Sequence, residues 1–288
     1  MPKTFEHITL EKEDGIATIT LNRPDAMNSI HAAMMMEICE AFDVTDADDQ
    51  TKAVIVTGSG NRSFSAGADL SNGADIFRVG SKTGARKVAD AEAASVPDLS
   101  GVPTLRIFSS LKPVIGAVNG VAVGLGVTLL LPMDFRIASS SARFGFVFCR
   151  RGIVPDAASS WFLPRLVGVP MALDLIYSGR IIGSEEAAGI GLVSEITEPE
   201  DLMTSARRRA HSYIDGTSPV SISISRRLVW EMQAALHPRE AHIAESRALA
   251  VRSRSADVVE GVNSFLEKRP PKFTDLPSEK LPRYLSSK

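Results

Sequence analysis

Alternation of apolar and polar residues near the N-terminus predicts a β-hairpin. In segments 5–12 and 16–21, apolar side chains alternate with polar ones, at Ile8 and Leu10 and again at Ala17, Ile19 and Leu21, and this is the period of a strand with one buried face. Asp14 and Gly15 between the two segments are a typical hairpin turn pair. Pro24 follows shortly after the second segment and cannot donate to a strand ladder. We therefore expect two antiparallel strands that end before Pro24.

Uninterrupted apolar runs farther along the chain predict buried strands. The runs 53–57 and 114–118 are each short and bounded by turn residues, which is typical of strands covered on both faces. Between the hairpin and these runs, segment 29–43 has apolar residues at every fourth position and predicts a helix capped by Ser29. Alternating strands and helices of this kind indicate an α/β layered domain over residues 1–198.

Two segments depart from this alternation. Residues 71–103 contain scattered glycines, prolines and charges, and both a mobile wall beside a site and a plain surface excursion fit that composition. From about residue 199, strand signals stop and helical periodicity continues to 268. We therefore expect a helical C-terminal region, residues 199–288.

Composition excludes several classes of function. The 288 residues are 44% hydrophobic and 23% charged, with a net charge of −2, so we expect a globular protein that binds neither nucleic acid nor a membrane surface. Cys39 and Cys149 allow at most one disulfide and suit a reducing compartment. The chain has no apolar leader and no apolar run of membrane-spanning length, so we expect a cytoplasmic location. The five histidines have no metal-ligand spacing, and we predict no metal site.

Two stretches combine small residues with strand ends. Residues 112–126 (KPVIGAVNGVAVGLG) predict a strand, a glycine-rich turn and the start of a helix. That combination gathers unpaired backbone N–H groups that suit a phosphate or a developing oxyanion. A tight turn in a packed core, with glycines required only by steric crowding, explains the same stretch. Residues 64–70 (FSAGADL) bring Ala and Gly to another strand end, where ligands of α/β folds usually bind.

Together these stretches resemble the crotonase (enoyl-CoA hydratase/isomerase) superfamily. The matching segments, in the family's order, are FSAGADL (64–70), KPVIGAVNGVAVGLG (112–126), MDFRIASSSARFG (133–145), GIVPDAASSWFLPRLVG (152–168), SGRIIGSEEAAGIGLVSEI (178–196) and FLEKRPPKF (265–273). The resemblance implies a ClpP/crotonase-like spiral of repeated ββα units with a C-terminal helical trimerisation region. It also implies a homotrimer or a dimer of trimers.

The resemblance assigns roles to individual residues. In the family, two backbone N–H groups bind the thioester carbonyl of an acyl-CoA, and the matching residues here are Ala68 and Leu125. Leu125 departs from the glycine usual at its position, but the donor is its backbone. The residues implied for CoA binding are Arg23, Ala66, Asp69, Leu70, Lys268 and Phe273. Solvated surface charge is an alternative interpretation for Arg23 and Lys268. No separate cofactor is implied, because CoA is part of the acyl-CoA substrate.

The family's best-known reaction lacks its catalytic groups in this chain. Family hydratases activate water with two glutamates, and the matching residues here are Thr128 and Phe148, which cannot act as acids or bases at neutral pH. Asp156 remains, at the position of the single catalytic carboxylate of some enoyl-CoA isomerases. We interpret it as the base of an isomerase acting on a 3-enoyl thioester. An aspartate there is equally typical of an ordinary helix cap.

The sequence leaves two alternatives to the isomerase open. One is hydration by a different set of residues, and the other is a non-catalytic CoA-binding scaffold. The role of Arg150 and Arg151 is also open, since they could hold an acidic acyl group, pair with Asp156, or form a surface salt bridge.

Overall fold

Two β-sheets organise the chain, for which a computed structural model describes residues 4–71, 73 and 98–282. One sheet has six strands in the order β1-β2-β3-β5-β7-β10, and the other has four in the order β4-β6-β8-β9. The strands are β1 (Ile8–Glu13), β2 (Ile16–Leu21), β3 (Ala53–Gly58), β4 (Ser63–Ser65), β5 (Val114–Val118), β6 (Val121–Val123), β7 (Phe135–Ser139), β8 (Arg143–Gly145), β9 (Ile181–Gly183) and β10 (Glu195–Thr197). The pairs β1–β2 and β8–β9 are antiparallel, and the remaining pairs are parallel.

Helices connect and cover these strands. They are α1 (Ala32–Ala47), α2 (Gly101–Phe108), α3 (Leu125–Thr128), α4 (Ser159–Val167), α5 (Val169–Ser178), α6 (Ser184–Gly189), α7 (Leu202–Ile214), α8 (Pro219–Glu231), α9 (Pro238–Arg252), α10 (Ala256–Leu266) and α11 (Pro277–Lys280). Short 3₁₀ segments occupy Pro24–Ala26, Cys149–Arg151, Pro199–Asp201 and Met232–Ala234. No helix in the described ranges is long and apolar enough to cross a membrane.

The predicted N-terminal hairpin and buried parallel strands are confirmed. β1 and β2 pair antiparallel around Asp14 (φ 51°) and Gly15 (φ 78°). β3 and β5 are buried along their whole length and pair in parallel. The alternating pattern thus identified the strands of the hairpin, and the continuous apolar runs identified strands with both faces covered.

The predicted start of the first helix is wrong by two residues. α1 begins at Ala32, and its cap is His31, whose Nδ1 accepts a hydrogen bond from Met34 N at 3.2 Å. Ser29 cannot cap it, because Ile30 is extended and forms a β-bridge with Ala68. A long-range pairing therefore overrides a good local capping residue.

The central glycine-rich stretch contains a strand that its sequence did not indicate. β6 lies between β5 and α3, and it pairs with β4 on one side and β8 on the other. The predicted helix after it is only one turn, Leu125–Thr128. Three residues of strand are stable here because neighbouring chain segments supply both edges.

The first helix of the predicted C-terminal region packs on the larger sheet. Leu202, Ala206, Ala210 and Ile214 of α7 form a core with strand residues such as Ile55. The division at residue 198 stays a prediction. For segment 71–103 the sequence fits either a mobile wall beside a site or a surface excursion, and most of that segment lies outside the described residues.

A buried ion pair joins α8 to this sheet. Arg226 Nε lies 2.7 Å from Asp134 Oδ2, which also accepts Val114 N at 2.8 Å at the start of β5. Trp230 Nε1 donates to the other oxygen of Asp134 at 2.8 Å, and the Arg226 Nη1 group donates to the carbonyl of Ser110 at 2.7 Å. Arg226 and Asp134 thus provide hydrogen-bond partners for several backbone and side-chain groups at once.

We expect Arg226→Ala to lower the free energy of unfolding by about 3–5 kcal/mol, because it leaves the Asp134 carboxylate without its cationic partner and several buried carbonyls without the Arg226 donor. Glu231→Ala, which removes the Arg227–Glu231 pair on the same helix, is the control and should change it by less than about 0.5 kcal/mol. Urea denaturation measures both values. Equal effects of the two substitutions would contradict the anchoring role of Arg226.

Candidate active site

Two backbone segments pack against each other too closely for side chains. A Cβ atom on Gly67 would lie 2.5 Å from Val123 O, and one on Gly126 would lie 2.2 Å from Ser65 O. Gly67 also has a φ of +92°, in the region that favours glycine. Only glycines at these two positions allow segment 65–68 to contact segment 123–126.

Ala68 and Leu125 each present an unpaired backbone N–H at this junction. Gly67 O and Asp69 N bond to Ile30 at 2.8 and 3.0 Å, so the N–H of Ala68 points to the opposite side. Leu125 is the first residue of α3, where an N–H has no acceptor within the helix. Neither N–H has an acceptor among the described residues. Two such donors suit an anion or a developing oxyanion, and that predicted role stays a prediction.

Asp156 lies in the loop before α4, and the cap interpretation of its side chain is wrong. α4 begins at Ser159, its N-cap is Ala158, and no side chain caps it. Ala157 and Ala158 have φ values of 52° and 55°, a left-handed conformation that is strained for alanine. Backbone strain of this kind is common beside functional groups that must be held in one orientation.

The hydroxyl group of Thr128 binds the Asp156 carboxylate, and that of Ser100 lies near it. Thr128 Oγ1 lies 3.3 Å from Asp156 Oδ1 and 3.3 Å from Leu125 O, so it links the carboxylate to the first turn of α3. Ser100, whose hydroxyl donates to Asp98, lies near enough to Asp156 to lower the pKa of its carboxyl group. Within the described ranges, no lysine or arginine forms a salt bridge with Asp156.

Burial raises the pKa of Asp156 to about 6, and the negative charge of Asp98 adds to this effect. Hydrogen bonds from Ser100 and Thr128 act in the opposite direction and only partly offset the increase. A carboxyl group with a pKa near neutrality is suited to take a proton from carbon and return it.

Some residues predicted for CoA binding lie together near this junction. Arg23 Nη1 lies 2.8 Å from Asp69 Oδ2 and 2.7 Å from Ser29 O. The hydrogen bond from the backbone N–H of Ser71, together with Arg23, lowers the pKa of Asp69 to about 2. Ala66 and Leu70 are exposed beside this pair. Arg23 is thus partly buried and paired with Asp69, in contrast to a freely solvated charge.

Lys268 and Phe273 do not join these residues. They follow α10, where Phe273 packs near Gly261 and Lys268 is exposed. No hydrogen bond or ion pair in the described ranges connects either of them to Arg23 or Asp69.

Sequence reasoning missed Ser100 and Asp98. Asp98 Oδ1 accepts Gly101 N at 2.8 Å where α2 begins, and an acidic residue before a helix start is a recognisable signal. That signal marks the start of a helix, and it does not reveal that this helix start lies near Asp156. Ser159 Oγ is also buried, and it has no hydrogen-bond partner in the part of the chain that the structure describes.

Arg150 and Arg151 are exposed, and no ion pair joins either to Asp156 among the described residues. Arg150 Nε donates to the carbonyl of Ser178 instead. The proposed pairing of these arginines with Asp156 is therefore wrong.

Most of this chain is similar to known proteins of one family. The family model described as enoyl-CoA hydratase/isomerase matches residues 11–276. The enoyl-CoA hydratase ACTT3 of Alternaria alternata is 39% identical over 91% of this chain and 84% of its own. The 1,2-epoxyphenylacetyl-CoA isomerase of Escherichia coli is 33% identical over 94% of this chain and 99% of its own. A crystal structure of enoyl-CoA hydratase from Bacillus anthracis, 28% identical, superposes with a TM-score of 0.82 over 93% of this chain and 99% of its own.

We expect Asp156→Asn to stabilise the protein at pH 7 by about 1–3 kcal/mol. A raised folded-state pKa means that the folded protein binds more protons than the unfolded chain between about pH 4 and pH 6. The charged Asp156 therefore costs free energy at pH 7, and this cost disappears as the pH falls below about 4. Urea denaturation at pH 7 and pH 4 measures the difference between variant and wild type.

The exposed Asp14 provides the matched control for this comparison. Asp14→Asn should change the free energy of unfolding by less than about 0.5 kcal/mol at both pH values. A destabilised Asp156→Asn variant at pH 7 would show that the carboxylate is structural.

Proposed function

The chain belongs to the enoyl-CoA hydratase/isomerase family of acyl-CoA-transforming enzymes, and we propose that it is an enoyl-CoA isomerase that moves a double bond from C3–C4 to C2–C3. The observation that carries this proposal is the environment of Asp156. Its carboxylate is partly buried, accepts a hydrogen bond from the hydroxyl group of Thr128, and has no cationic partner among the described residues. Such a group is free to exchange a proton with a substrate.

The proposed reaction is a proton shuttle through an enolate. Asp156 removes a proton from C2 of a 3-enoyl thioester, and the electrons move into the thioester carbonyl. The backbone N–H groups of Ala68 and Leu125 stabilise the resulting oxyanion, and one such donor typically contributes about 3 kcal/mol. Asp156 then returns a proton to C4, so that the double bond lies between C2 and C3. The reaction transfers no electrons to or from a carrier, so it requires no cofactor beyond the CoA of its substrate.

The positions of the family's two hydratase glutamates support isomerisation over hydration. Thr128 is fully buried, and Phe148 is 2% exposed within the hydrophobic core. Neither side chain can activate water. Hydration remains a second candidate because relatives such as the Alternaria alternata protein are named enoyl-CoA hydratases.

We propose that CoA lies along the exposed edge formed by Ala66 and Leu70, beside the Arg23–Asp69 pair. Arg23 uses one nitrogen for Asp69, and a guanidinium has further donors for a phosphate. Lys268 and Phe273 are kept as the proposed contacts at the adenosine end of CoA.

We propose further that the C-terminal helices assemble the protein as a homotrimer or a dimer of trimers. Large apolar side chains are exposed along α9 and α10, and they include Leu249, Val259, Val262, Phe265 and Leu266. Several large apolar side chains exposed on two successive helices suit a protein–protein interface.

Light scattering should therefore give a mass three or six times that of the single chain. Phe265→Glu places a charge on this surface and should shift the mass toward the monomer, whereas Met36→Glu on α1 should leave it unchanged. A monomeric wild-type protein would contradict the proposed assembly.

Asp156→Asn should reduce kcat for isomerisation of a 3-enoyl-CoA by about 10²–10⁴-fold, because it removes the general base. In the wild type, kcat/KM should rise tenfold per pH unit up to about pH 6 and then level off, since only the deprotonated base is active. Absorbance of the conjugated 2-enoyl thioester measures the rate.

Two outcomes would contradict this assignment. Equal activity of Asp156→Asn and wild type would exclude Asp156 as the base. Hydration of a 2-enoyl-CoA by the wild type at a higher rate than isomerisation would favour the hydratase alternative. The exposed Asp14→Asn variant is the control for general effects of losing a carboxylate.

A further inference from the structure

The side chain of Asn28 is fully buried and forms four hydrogen bonds. Its amide oxygen accepts the backbone N–H of Arg23 at 3.0 Å and the hydroxyl of Ser59 at 3.1 Å. Its amide nitrogen donates to the carbonyl of Ser59 at 3.0 Å and to that of Ser63 at 2.9 Å. An asparagine side chain has two donors and room for two acceptor bonds, so Asn28 uses its full capacity to join three parts of the chain.

The backbone at Asn28 forms a turn that few residue types adopt easily. Met27 and Asn28 both have a φ of 53°, in the left-handed region that asparagine tolerates better than most residues. The backbone N–H of Asn28 donates to Arg23 O at 2.8 Å, which closes the turn. The side chain and the backbone of Asn28 therefore fix the same turn.

This turn presents segment 27–30 to segment 66–69, and the two segments share three backbone hydrogen bonds. The bonds run from Ala66 N to Met27 O at 2.9 Å, from Ile30 N to Gly67 O at 2.8 Å, and from Asp69 N to Ile30 O at 3.0 Å. In a trans peptide the C=O and the next N–H point in opposite directions. Because Gly67 O points to segment 27–30, the N–H of Ala68 must point away from it, toward the junction with segment 123–126.

We propose that Asn28 is a positioning residue that aims the backbone N–H of Ala68 at the thioester carbonyl. Its side chain binds Ser63 at the start of β4, and the backbone on either side of it binds the segment that follows β4. These two connections hold segment 27–30 in place along β4 and so fix the direction of the Ala68 donor. The inference rests on the proposed oxyanion hole, whose other donor, Leu125, lies on α3 and is held separately.

The test is infrared spectroscopy of bound butyryl-CoA that carries ¹³C at the thioester carbon. Hydrogen bonds to a carbonyl oxygen lower its stretching frequency, so the shift on binding reports correctly aimed donors. We expect Asn28→Ala and Asn28→Gly to keep about half of the wild-type shift, because one of the two donors is misdirected. In both variants kcat for isomerisation of a 3-enoyl-CoA should fall about 10²-fold, since a misplacement of about 1 Å can have this effect.

The glycine variant separates the amide from the backbone turn. Glycine adopts a positive φ without steric cost, so Asn28→Gly keeps the turn and loses only the four side-chain bonds. The band of bound ligand comes only from folded molecules, and lower stability therefore does not imitate a smaller shift. A wild-type shift in Asn28→Gly would overturn the proposal.

Asn119→Ala is the matched control, because Asn119 also supports the turn between β3 and β4. Its amide nitrogen donates to Gly60 O at 2.8 Å and to Ser63 O at 3.0 Å, and its oxygen accepts Gly58 N at 3.2 Å. Asn119 lies between β5 and β6, outside segment 27–30. This variant should keep the wild-type shift. An equal loss in the Asn119 and Asn28 variants would show that general support of the β3–β4 turn is responsible, and the positioning role would be wrong.

The infrared measurement also separates this inference from the proposed reaction, since butyryl-CoA has no double bond to move. A wild-type shift that does not depend on Asn28 would refute the positioning role and leave the oxyanion hole intact. A shift that depends on Asn28, in a protein that does not isomerise a 3-enoyl-CoA, would support the positioning role and refute the isomerase. Absence of any shift in the wild type, or of butyryl-CoA binding, would overturn both proposals.

Discussion

The close contact between segments 65–68 and 123–126 is the constraint on which the candidate site depends. The two segments leave the neighbouring strands β4 and β6 of the four-stranded sheet, and side chains at Gly67 or Gly126 would force the two backbones apart. Their contact brings the unpaired N–H groups of Ala68 and Leu125 to one place. A pair of aimed backbone donors costs no reorganisation during a reaction, because the fold has already oriented them.

The same junction determines where the carboxylate lies. Thr128 is on the one-turn helix that begins at Leu125, and its hydroxyl reaches Asp156. Ser100, at the start of α2, lies near the same carboxylate. Burial of Asp156 between these parts of the chain is the main cause of its raised pKa. The fold places the Asp156 carboxyl group where its charged form is unfavourable. This is common for residues that transfer protons.

Local patterns explain why much of the fold was predictable. The apolar runs of β3 and β5 identify strands because both faces are covered, and the β1–β2 turn is encoded by Asp14 and Gly15. The start of α1 was not predictable in the same way. Ser29 is a suitable cap by residue type, but the bridge between Ile30 and Ala68 forces an extended backbone there. Strand β6 was missed for a similar reason, since its three residues are stable only between β4 and β8.

The amino-acid sequence by itself determined which groups are available for chemistry. It supplies glycines where two backbones must touch, an aspartate at position 156, and Thr128 and Phe148 where a two-carboxylate site would need glutamates. The tertiary structure alone decided which of these groups meet. In the sequence, Asp98 and Ser100 carry at most a local helix-start signal, because capping depends on neighbouring residues only. Their position near Asp156 depends on where the fold places the start of α2 relative to a distant loop, and no local pattern encodes that placement.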